Sequence, residues 1–376
     1  MAVTSEAAEH VRIGLSGDVM LGRGVDQIQR HPGDPTIHEP WATSALRYVE
    51  LAEAVSGPIP RAVDPAYVWG DLLTDLSNAG LDGLIVNLET AVTDRGRPWP
   101  GKRIQYRMHP ATAECLTAAA IDVAVLANNH VLDWSEPGLR QTLEVVAGLG
   151  VRPVGAGCNE AEAWEPAVVD VASGSRLVVV AAGSTSSGIP SAWAAGADRA
   201  GVALLDGLQG ESVDQVARLV RSRTDQAGDL VVMSLHWGGN WGYRIPVAHR
   251  RFAHQLIDEA GVQVVHGHSS HHPLGIEVYR GHLILYGCGD LITDYEGISG
   301  HEEYRGELGG LYVADVEPGS GLLRRLRVIP TRMRGLRLSR PSFDDVAWFA
   351  AMLDREGAKL GTAATVDEDG YLTVHW

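Results

Sequence analysis

The chain has 376 residues, of which 45% are hydrophobic and 21% are charged, and these proportions favour a folded α/β domain over a disordered chain. Its formal net charge of −16 repels polyanions, so composition argues against nucleic acid or an anionic membrane surface as a general partner. Cys115, Cys158 and Cys288 are far apart and lack metal-finger spacing, which indicates structural thiols in a reducing compartment.

The first ten residues carry neither a basic nor an apolar stretch that would indicate a secretion signal. No run of about 18 apolar residues occurs, so we expect no membrane span and a cytoplasmic location. No pattern in the sequence indicates an oligomeric state.

Apolar runs that end in polar or glycine-rich residues alternate with segments of helical spacing along the chain, which predicts an α/β fold. The predicted strands are residues 11–16, 83–87, 123–127, 177–182, 230–234, 262–266, 282–287 and 310–316. The predicted helices are residues 65–79, 111–120, 136–149, 213–223, 247–260 and 343–356.

No repeat, low-complexity tract or linker divides the chain, so we expect a single domain over residues 1–376. Its core would cover about residues 11–330, and a helix and strand extension would occupy 331–376. The loops at 90–110, 183–201 and 291–309 are long, and long loops on a rigid scaffold are commonly functional.

Five short polar motifs stand where predicted strands end. They are Gly17-Asp18, Asn87-Leu88-Glu89, Asn128-Asn129-His130, His236-Trp237-Gly238 and the run from Gly267 to His271. Open α/β sheets bind ligands beyond the carboxyl ends of their strands, so we expect these residues to converge. Carboxylate, amide and imidazole donors without a thiolate suit a pair of divalent ions such as Mn²⁺, Fe²⁺, Zn²⁺ or Mg²⁺. A lone strand-end histidine is usually structural, and only the order of all five motifs indicates a site.

The same motifs carry a family resemblance. In order and spacing, the segments GDVMLGRGVD, IVNLET, AVLANNHVLDW, SLHWGGNW and VVHGHSSHHPLGIEVYRGHLILYGCGDLI resemble the CapA-type capsule (poly-γ-glutamate) biosynthesis proteins, within the calcineurin-like metallophosphoesterase superfamily. The resemblance covers about residues 12–328. It implies a four-layer α/β/β/α sandwich with two divalent metal ions.

The resemblance also implies a set of metal ligands. One ion would be held by Asp18 and His271, and the other by Asn129, His236 and His268, with Glu89 bridging the two. This sequence has Met20 where the superfamily usually has a histidine, and Glu89 where it usually has an aspartate. Both departures are typical of CapA-like proteins. His266 and His272 flank the last motif. They are metal ligands, hydrogen-bond donors that orient the ligands, or plain polar residues, and we favour the second role.

His130 follows Asn129 directly, and the resemblance implies that it is the general acid for the leaving group, oriented by Asp133. The alternative is a helix-capping or core histidine. Between residues 95 and 107 the chain has five basic residues and no acid, which indicates either an anion-binding loop or a solvated basic loop. On the first interpretation Arg103 and Arg107 bind a carboxylate or phosphate of the substrate.

Arg23, just beyond the first strand, belongs to the same substrate-binding hypothesis. Trp237 is a candidate pocket wall, with core packing as the equal alternative. The acid-free run at residues 324–340 contains seven arginines and is interpreted as the solvent face of a terminal strand.

The expected function is metal-dependent hydrolysis or transfer at an acyl-amide (γ-glutamyl-type) or phosphoester bond of a small or polymeric anionic substrate. An ordinary metallophosphoesterase is one alternative. A non-catalytic polymer-binding accessory protein that retains the metal ligands is the other. The Asn129-His130 pair argues against the accessory role, because a binding protein needs no general acid.

Overall fold

The computed structural model describes residues 10–171, 174–224 and 228–376. The helices in these ranges are α1 (Arg23–Gln27), α2 (Leu46–Ser56), α3 (Leu72–Ala79), α4 (Glu114–Ala118), α5 (Ser135–Gly148), α6 (Glu160–Ala163), α7 (Gly210–Arg223), α8 (Val247–Ala260) and α9 (Phe343–Gly357). The strands of the first half are β1 (Val11–Val19), β2 (Gly83–Leu88), β3 (Ala91–Val92), β4 (Arg107–Met108), β5 (Val123–Val125), β6 (Arg152–Val154), β7 (Ala156–Gly157), β8 (Ala167–Asp170), β9 (Arg176–Gly183) and β10 (Gly201–Val202). Those of the second half are β11 (Leu230–His236), β12 (Val264–His268), β13 (Ile276–Tyr279), β14 (His282–Leu285), β15 (Asp290–Ile292), β16 (Leu308–Val316), β17 (Leu323–Met333), β18 (Leu338–Ser339), β19 (Ala363–Val366) and β20 (Leu372–His375).

Two large mixed sheets contain most of the strands. The first has ten strands in the order β19-β20-β17-β16-β1-β2-β5-β6, with β15 paired to β1 and β18 paired to β17. The second has six strands in the order β13-β14-β12-β11-β9-β8. The fold is therefore α/β, as predicted.

Three apolar clusters follow from the alternation of side chains along these strands. One cluster joins both sheets, since Ile13 and Leu15 of β1 share it with Val179 of β9 and Val232 of β11. A second contains the opposite side of β2 together with residues of α3, α4 and α5. The third contains the other side of β9 and β11 together with residues of α7 and α8. The core therefore lies between the sheets and under helices.

The polar motifs stand at the carboxyl ends of parallel strands in both sheets. Strands β1, β2, β5 and β6 run parallel, as do β9, β11, β12 and β14. The pairing of β1 with β2 has a register shift at Asp18. The end of β1 also pairs with β15, which places Asp18 beside Asp290. Gly17 allows this close approach, because a Cβ atom there would lie 1.8 Å from the carbonyl oxygen of Gly289. The bulge thus brings two carboxylates together.

All eight predicted strands overlap observed strands, but two predicted helices are wrong in part. The helix predicted at 65–79 begins only at Leu72, because Gly70 has a φ of +46° and a Cβ atom there would lie 2.0 Å from the Leu338 carbonyl oxygen. The helix predicted at 111–120 is reduced to α4. Strand β17, in the arginine-rich run, is an interior strand that pairs with β16 and β20, not a terminal one. Within the described ranges, no helix is long and apolar enough to cross a bilayer.

Candidate metal centre

The end of β11 and the end of β12 place two histidines side by side. His236 and His268 are paired in the parallel ladder, and their Nδ1 atoms lie 2.8 Å apart. Burial lowers the pKa of both imidazoles well below the usual value, so both are neutral and able to coordinate a cation. Together with Asp18 they form a group whose candidate ligand atoms all lie within 4.8 Å of one another.

A second group of candidate ligands contains Asp18, His271 and Asp290, again within 4.8 Å. His271 Nδ1 lies 2.8 Å from Asp290 Oδ1 and 3.9 Å from Asp18 Oδ2. Burial would lower the pKa of His271, but the neighbouring Asp290 carboxylate raises it above the usual value. Asp18 belongs to both groups.

Glu89 lies beside both groups, and Asn87 connects it to Asp18. The Asn87 side-chain amide donates to Asp18 Oδ1 at 2.7 Å and to Glu89 Oε2 at 2.8 Å, and Asn128 fixes its oxygen at 3.0 Å. Glu89 carboxylate oxygens lie 3.9 Å from His130 Nε2 and from His236 Nδ1. Burial, followed by the charge of Asp290, raises the pKa of Asp18 to about 7, while burial and Asp18 raise that of Glu89.

The residues fit a divalent metal ion, because several buried polar atoms of the proposed ligands lack a hydrogen-bond partner. These atoms are Asp18 Oδ2, Asn129 Oδ1, His236 Nε2 and Asp290 Oδ2. An unpaired buried donor or acceptor costs about 1–3 kcal/mol, and more for a charged group, so several together call for a ligand. A cation would satisfy these atoms and relieve the repulsion between the carboxylates. The donor set is oxygen and imidazole nitrogen, which suits divalent ions such as Mn²⁺, Fe²⁺ or Zn²⁺.

His130 is held by a hydrogen bond that fixes its tautomer. Its Nδ1 atom lies 2.6 Å from Asp133 Oδ2, which also accepts from the backbone N–H of Tyr106 at 2.7 Å. Lys102 Nζ lies 3.1 Å from Asp133 Oδ1 and donates to the Asn129 carbonyl oxygen. Burial lowers the pKa of His130 to about 4 although Asp133 opposes the shift. The imidazole is therefore neutral, and its Nε2 atom is free to accept a proton.

The Arg23 guanidinium is held by partners within the protein. It is only 2% exposed, pairs with Glu39 at 3.1 Å and donates from Nε to Asp294 at 3.1 Å. Its guanidinium carbon lies 3.8 Å from the centre of the Tyr48 ring and 4.0 Å from that of Tyr106. These partners are all buried, and Tyr106 packs edge-on against His130, so Arg23 contributes to the position of that histidine.

The other proposed substrate residues lie in three different settings. Arg103 is exposed in the basic loop, whereas Arg107 donates to the Asp34 carbonyl oxygen and lies over the Trp134 ring. Trp237 is 2% exposed, donates to the Tyr286 carbonyl oxygen and stacks on His249, so its role is core packing instead of a pocket wall.

Two of the flanking histidines have clear contacts. His266 joins Ser234 to the Ser16 carbonyl oxygen, with Ser234 also contacting His268, and it therefore supports a proposed ligand. His272 accepts from the backbone of Gly242 and packs against Trp241.

Sequence reasoning missed Asp290 and Lys102. The signal for Asp290 is a second Gly-Asp pair, Gly289-Asp290, which repeats the Gly17-Asp18 pattern after a strand. Lys102 stands next to Arg103 in the basic loop, but the sequence does not show which of the two turns inward.

Comparison with known proteins adds independent findings. Residues 12–295 match the model of the family described as bacterial capsule synthesis protein PGA_cap. A probable polyglutamine synthesis accessory protein of Mycobacterium tuberculosis is 45% identical over 365 residues, which are 97% of this chain and 96% of that protein. The PGA biosynthesis protein CapA of Bacillus subtilis is 26% identical over 279 residues, 74% of this chain and 62% of that protein. The capsule biosynthesis protein CapA of Bacillus anthracis is 24% identical over 291 residues, 76% of this chain and 60% of that protein.

Proposed function

Because the chain belongs to the bacterial capsule synthesis family PGA_cap, we propose that it is a metal-dependent enzyme of polyglutamate-type polymer or γ-glutamyl metabolism. The resemblance to CapA-type proteins inferred from the motifs is confirmed by this membership. The reaction we propose is hydrolysis or transfer at an acyl-amide bond of the γ-glutamyl type, or at a phosphoester bond, of an anionic substrate. We also propose that the two sheets and their helices form the four-layer metallophosphoesterase sandwich.

The single observation that supports this proposal best is that Asp18, His236 and Asp290, which belong to the two ligand groups, each have a buried polar atom without a hydrogen-bond partner. His236 and His268 would hold one ion with Asp18, while His271 and Asp290 would hold the other. Asn129 and Glu89 would complete the coordination. When bound, a pair of divalent ions supplies a Lewis acid that polarises the scissile group and lowers the pKa of a water molecule.

His130 is the residue that carries protons in the proposed reaction. Its Nδ1–H is donated to Asp133, so the Nε2 atom can take a proton from the attacking nucleophile and return it to the leaving group. Asp133 stabilises the imidazolium that forms between these steps, and Lys102 holds Asp133 in place. Arg23 supports the same histidine through Tyr106.

A non-catalytic accessory role is the second candidate. The observation that favours it is the similarity to the Mycobacterium tuberculosis protein, whose name describes a probable accessory protein. The contact between His130 and Asp133 favours catalysis instead, because a binding protein gains nothing from a buried, oriented proton carrier. These two candidates predict different results in a turnover assay.

The test is metal analysis of the purified protein followed by a screen of γ-glutamyl amides against phosphoesters. We expect two divalent ions per chain and turnover of one of the two substrate classes. Asp18→Asn should lose both the metal and the turnover, since Asp18 belongs to both ligand groups. Protein with both ions bound that turns over neither class would overturn the catalytic proposal, and the accessory role would then stand.

A further inference from the structure

A cleft adjoins the candidate metal centre on the side of His271. A cavity of about 470 Å³ is lined by His271, Asn240 and Tyr295. A second cavity of about 630 Å³ lies next to it, since Trp241 and Ile298 line both. Together they form what we call the His271 cleft, which begins at a proposed metal ligand and leads outward.

Large apolar side chains form the walls of the first part of the His271 cleft. They include Trp41, Leu51, Ile104, Trp241 and Ile298. Trp41 is 59% exposed and Ile298 is 47% exposed, so much apolar surface there faces solvent. The indole N–H of Trp41 is already donated to the Tyr48 hydroxyl at 3.1 Å, which leaves only apolar ring surface for a ligand.

The positive charges of the His271 cleft are almost all neutralised by the chain's own carboxylates. The ion pairs are Arg23 with Asp294, Arg47 with Glu50, and Arg305 and Arg332 with Asp345. Among the described residues that line the cleft, only Arg334 is an arginine without an observed ion pair. A polymer with a carboxylate on every unit would therefore find a single free cation there, far fewer than its charge requires.

We propose that the His271 cleft binds an uncharged aromatic group of the substrate, attached next to the scissile bond. The inference rests on the proposed function, because the metal centre is taken as the position of the reacting bond. It specifies the substrate class further: an acyl or phosphoryl group at the metals, joined to an aromatic group between Trp41, Trp241 and Ile298. A chain of bare glutamate units does not match these walls.

Binding of 1-naphthylamine, measured by titration calorimetry on metal-loaded protein, tests the inference without any turnover. Trp41→Ser should weaken binding about tenfold, equivalent to about 1.4 kcal/mol, because the apolar ring surface is removed. Trp376→Ser is the matched control, since Trp376 is 50% exposed and does not line the cleft. Its affinity should equal that of the wild type.

A second pair of variants keeps the inference testable if Trp41→Ser does not fold. Ile298→Ser should weaken 1-naphthylamine binding severalfold, whereas Val247→Ser, at an 82% exposed apolar position outside the cleft, should not. Melting temperatures and metal content of all four variants are recorded alongside. Binding that stays within twofold of wild type in both Trp41→Ser and Ile298→Ser would overturn the inference.

Tri-γ-glutamate is the competing probe. If it bound more tightly than 1-naphthylamine and Arg334→Ala abolished that binding, the cleft would be an anion site and the inference would be wrong. The proposed function fails separately: absence of turnover with Trp41-dependent binding refutes the enzyme but retains the aromatic site. Turnover combined with Trp41-independent binding would support the enzyme and refute the aromatic site.

Discussion

The Nδ1 atoms of His236 and His268 lie 2.8 Å apart where β11 and β12 end side by side. Between two neutral imidazoles this distance fits one N–H···N hydrogen bond, and a cation bound by both rings would replace that bond. We expect His268→Ala to lose at least one metal ion, measured by elemental analysis after dialysis. Metal present at about 1,000 times its Kd stabilises a protein by about 4 kcal/mol, so the variant should also lose most of its metal-induced rise in Tm. His254→Ala, a partly exposed histidine of α8, is the control and should bind metal normally.

Glu89→Gln should have opposite effects on metal binding and on the metal-free protein. Burial and the charge of Asp18 both raise the pKa of Glu89, so its ionised form is unfavourable when no cation is present. The neutral amide removes that repulsion, and the urea midpoint of the metal-free variant should equal or exceed that of wild type. Metal affinity should fall, because a negative charge next to the cations is gone. A variant with unchanged affinity would remove Glu89 from the site.

His130→Ala should lower kcat by about 10²–10⁴, the usual range for the loss of a proton-transfer group, with metal content unchanged. A substrate with an activated leaving group, such as a nitroanilide or nitrophenyl ester, needs little protonation and should lose less. Equal losses on activated and ordinary substrates would assign His130 to positioning instead. An unchanged rate on both would return it to the structural alternative.

Lys102 and its neighbour Arg103 form a matched pair of cations. Lys102 contacts Asp133 at 3.1 Å and its side chain is 14% exposed, whereas Arg103 is exposed. Lys102→Ala should therefore reduce kcat/KM by at least tenfold, and Arg103→Ala by less than twofold, in the same steady-state assay. A larger effect from Arg103 would restore the earlier hypothesis that Arg103 binds the substrate anion.

Arg23→Met should destabilise the fold even when no metal ion is bound. The substitution leaves Glu39 and Asp294 buried without their cation, and breaking a buried pair in this way typically costs about 3–5 kcal/mol. Urea unfolding measures the loss. Arg103→Met is the control and should change stability by no more than about 0.5 kcal/mol, as surface substitutions usually do. A small loss in Arg23→Met would show that the acids find other partners.

The sequence was sufficient to predict where the polar motifs stand, because a strand that ends in Gly-Asp or in two asparagines is a local pattern. It could not show which residues Arg23 contacts, since Asp294 lies 271 positions away along the chain. The contact of Lys102 with Asp133 could not be predicted either, because it depends on how the basic loop packs against Asp133. Trp237 was ambiguous for the same reason, since its burial depends on His249 and Tyr286, which lie elsewhere in the chain.

The close pairing of β1 with β15 determines which nearby glycines tolerate a side chain. Gly17 lies against the carbonyl oxygen of Gly289, and a Cβ atom at Gly309 on β16 would lie 2.1 Å from the carbonyl oxygen of Asp290. Any side chain at either glycine would push Asp290 away from Asp18. A saturation mutagenesis map of this protein should therefore show Gly17 and Gly309 to be as intolerant as the histidines, although neither has a side chain that could reach an ion.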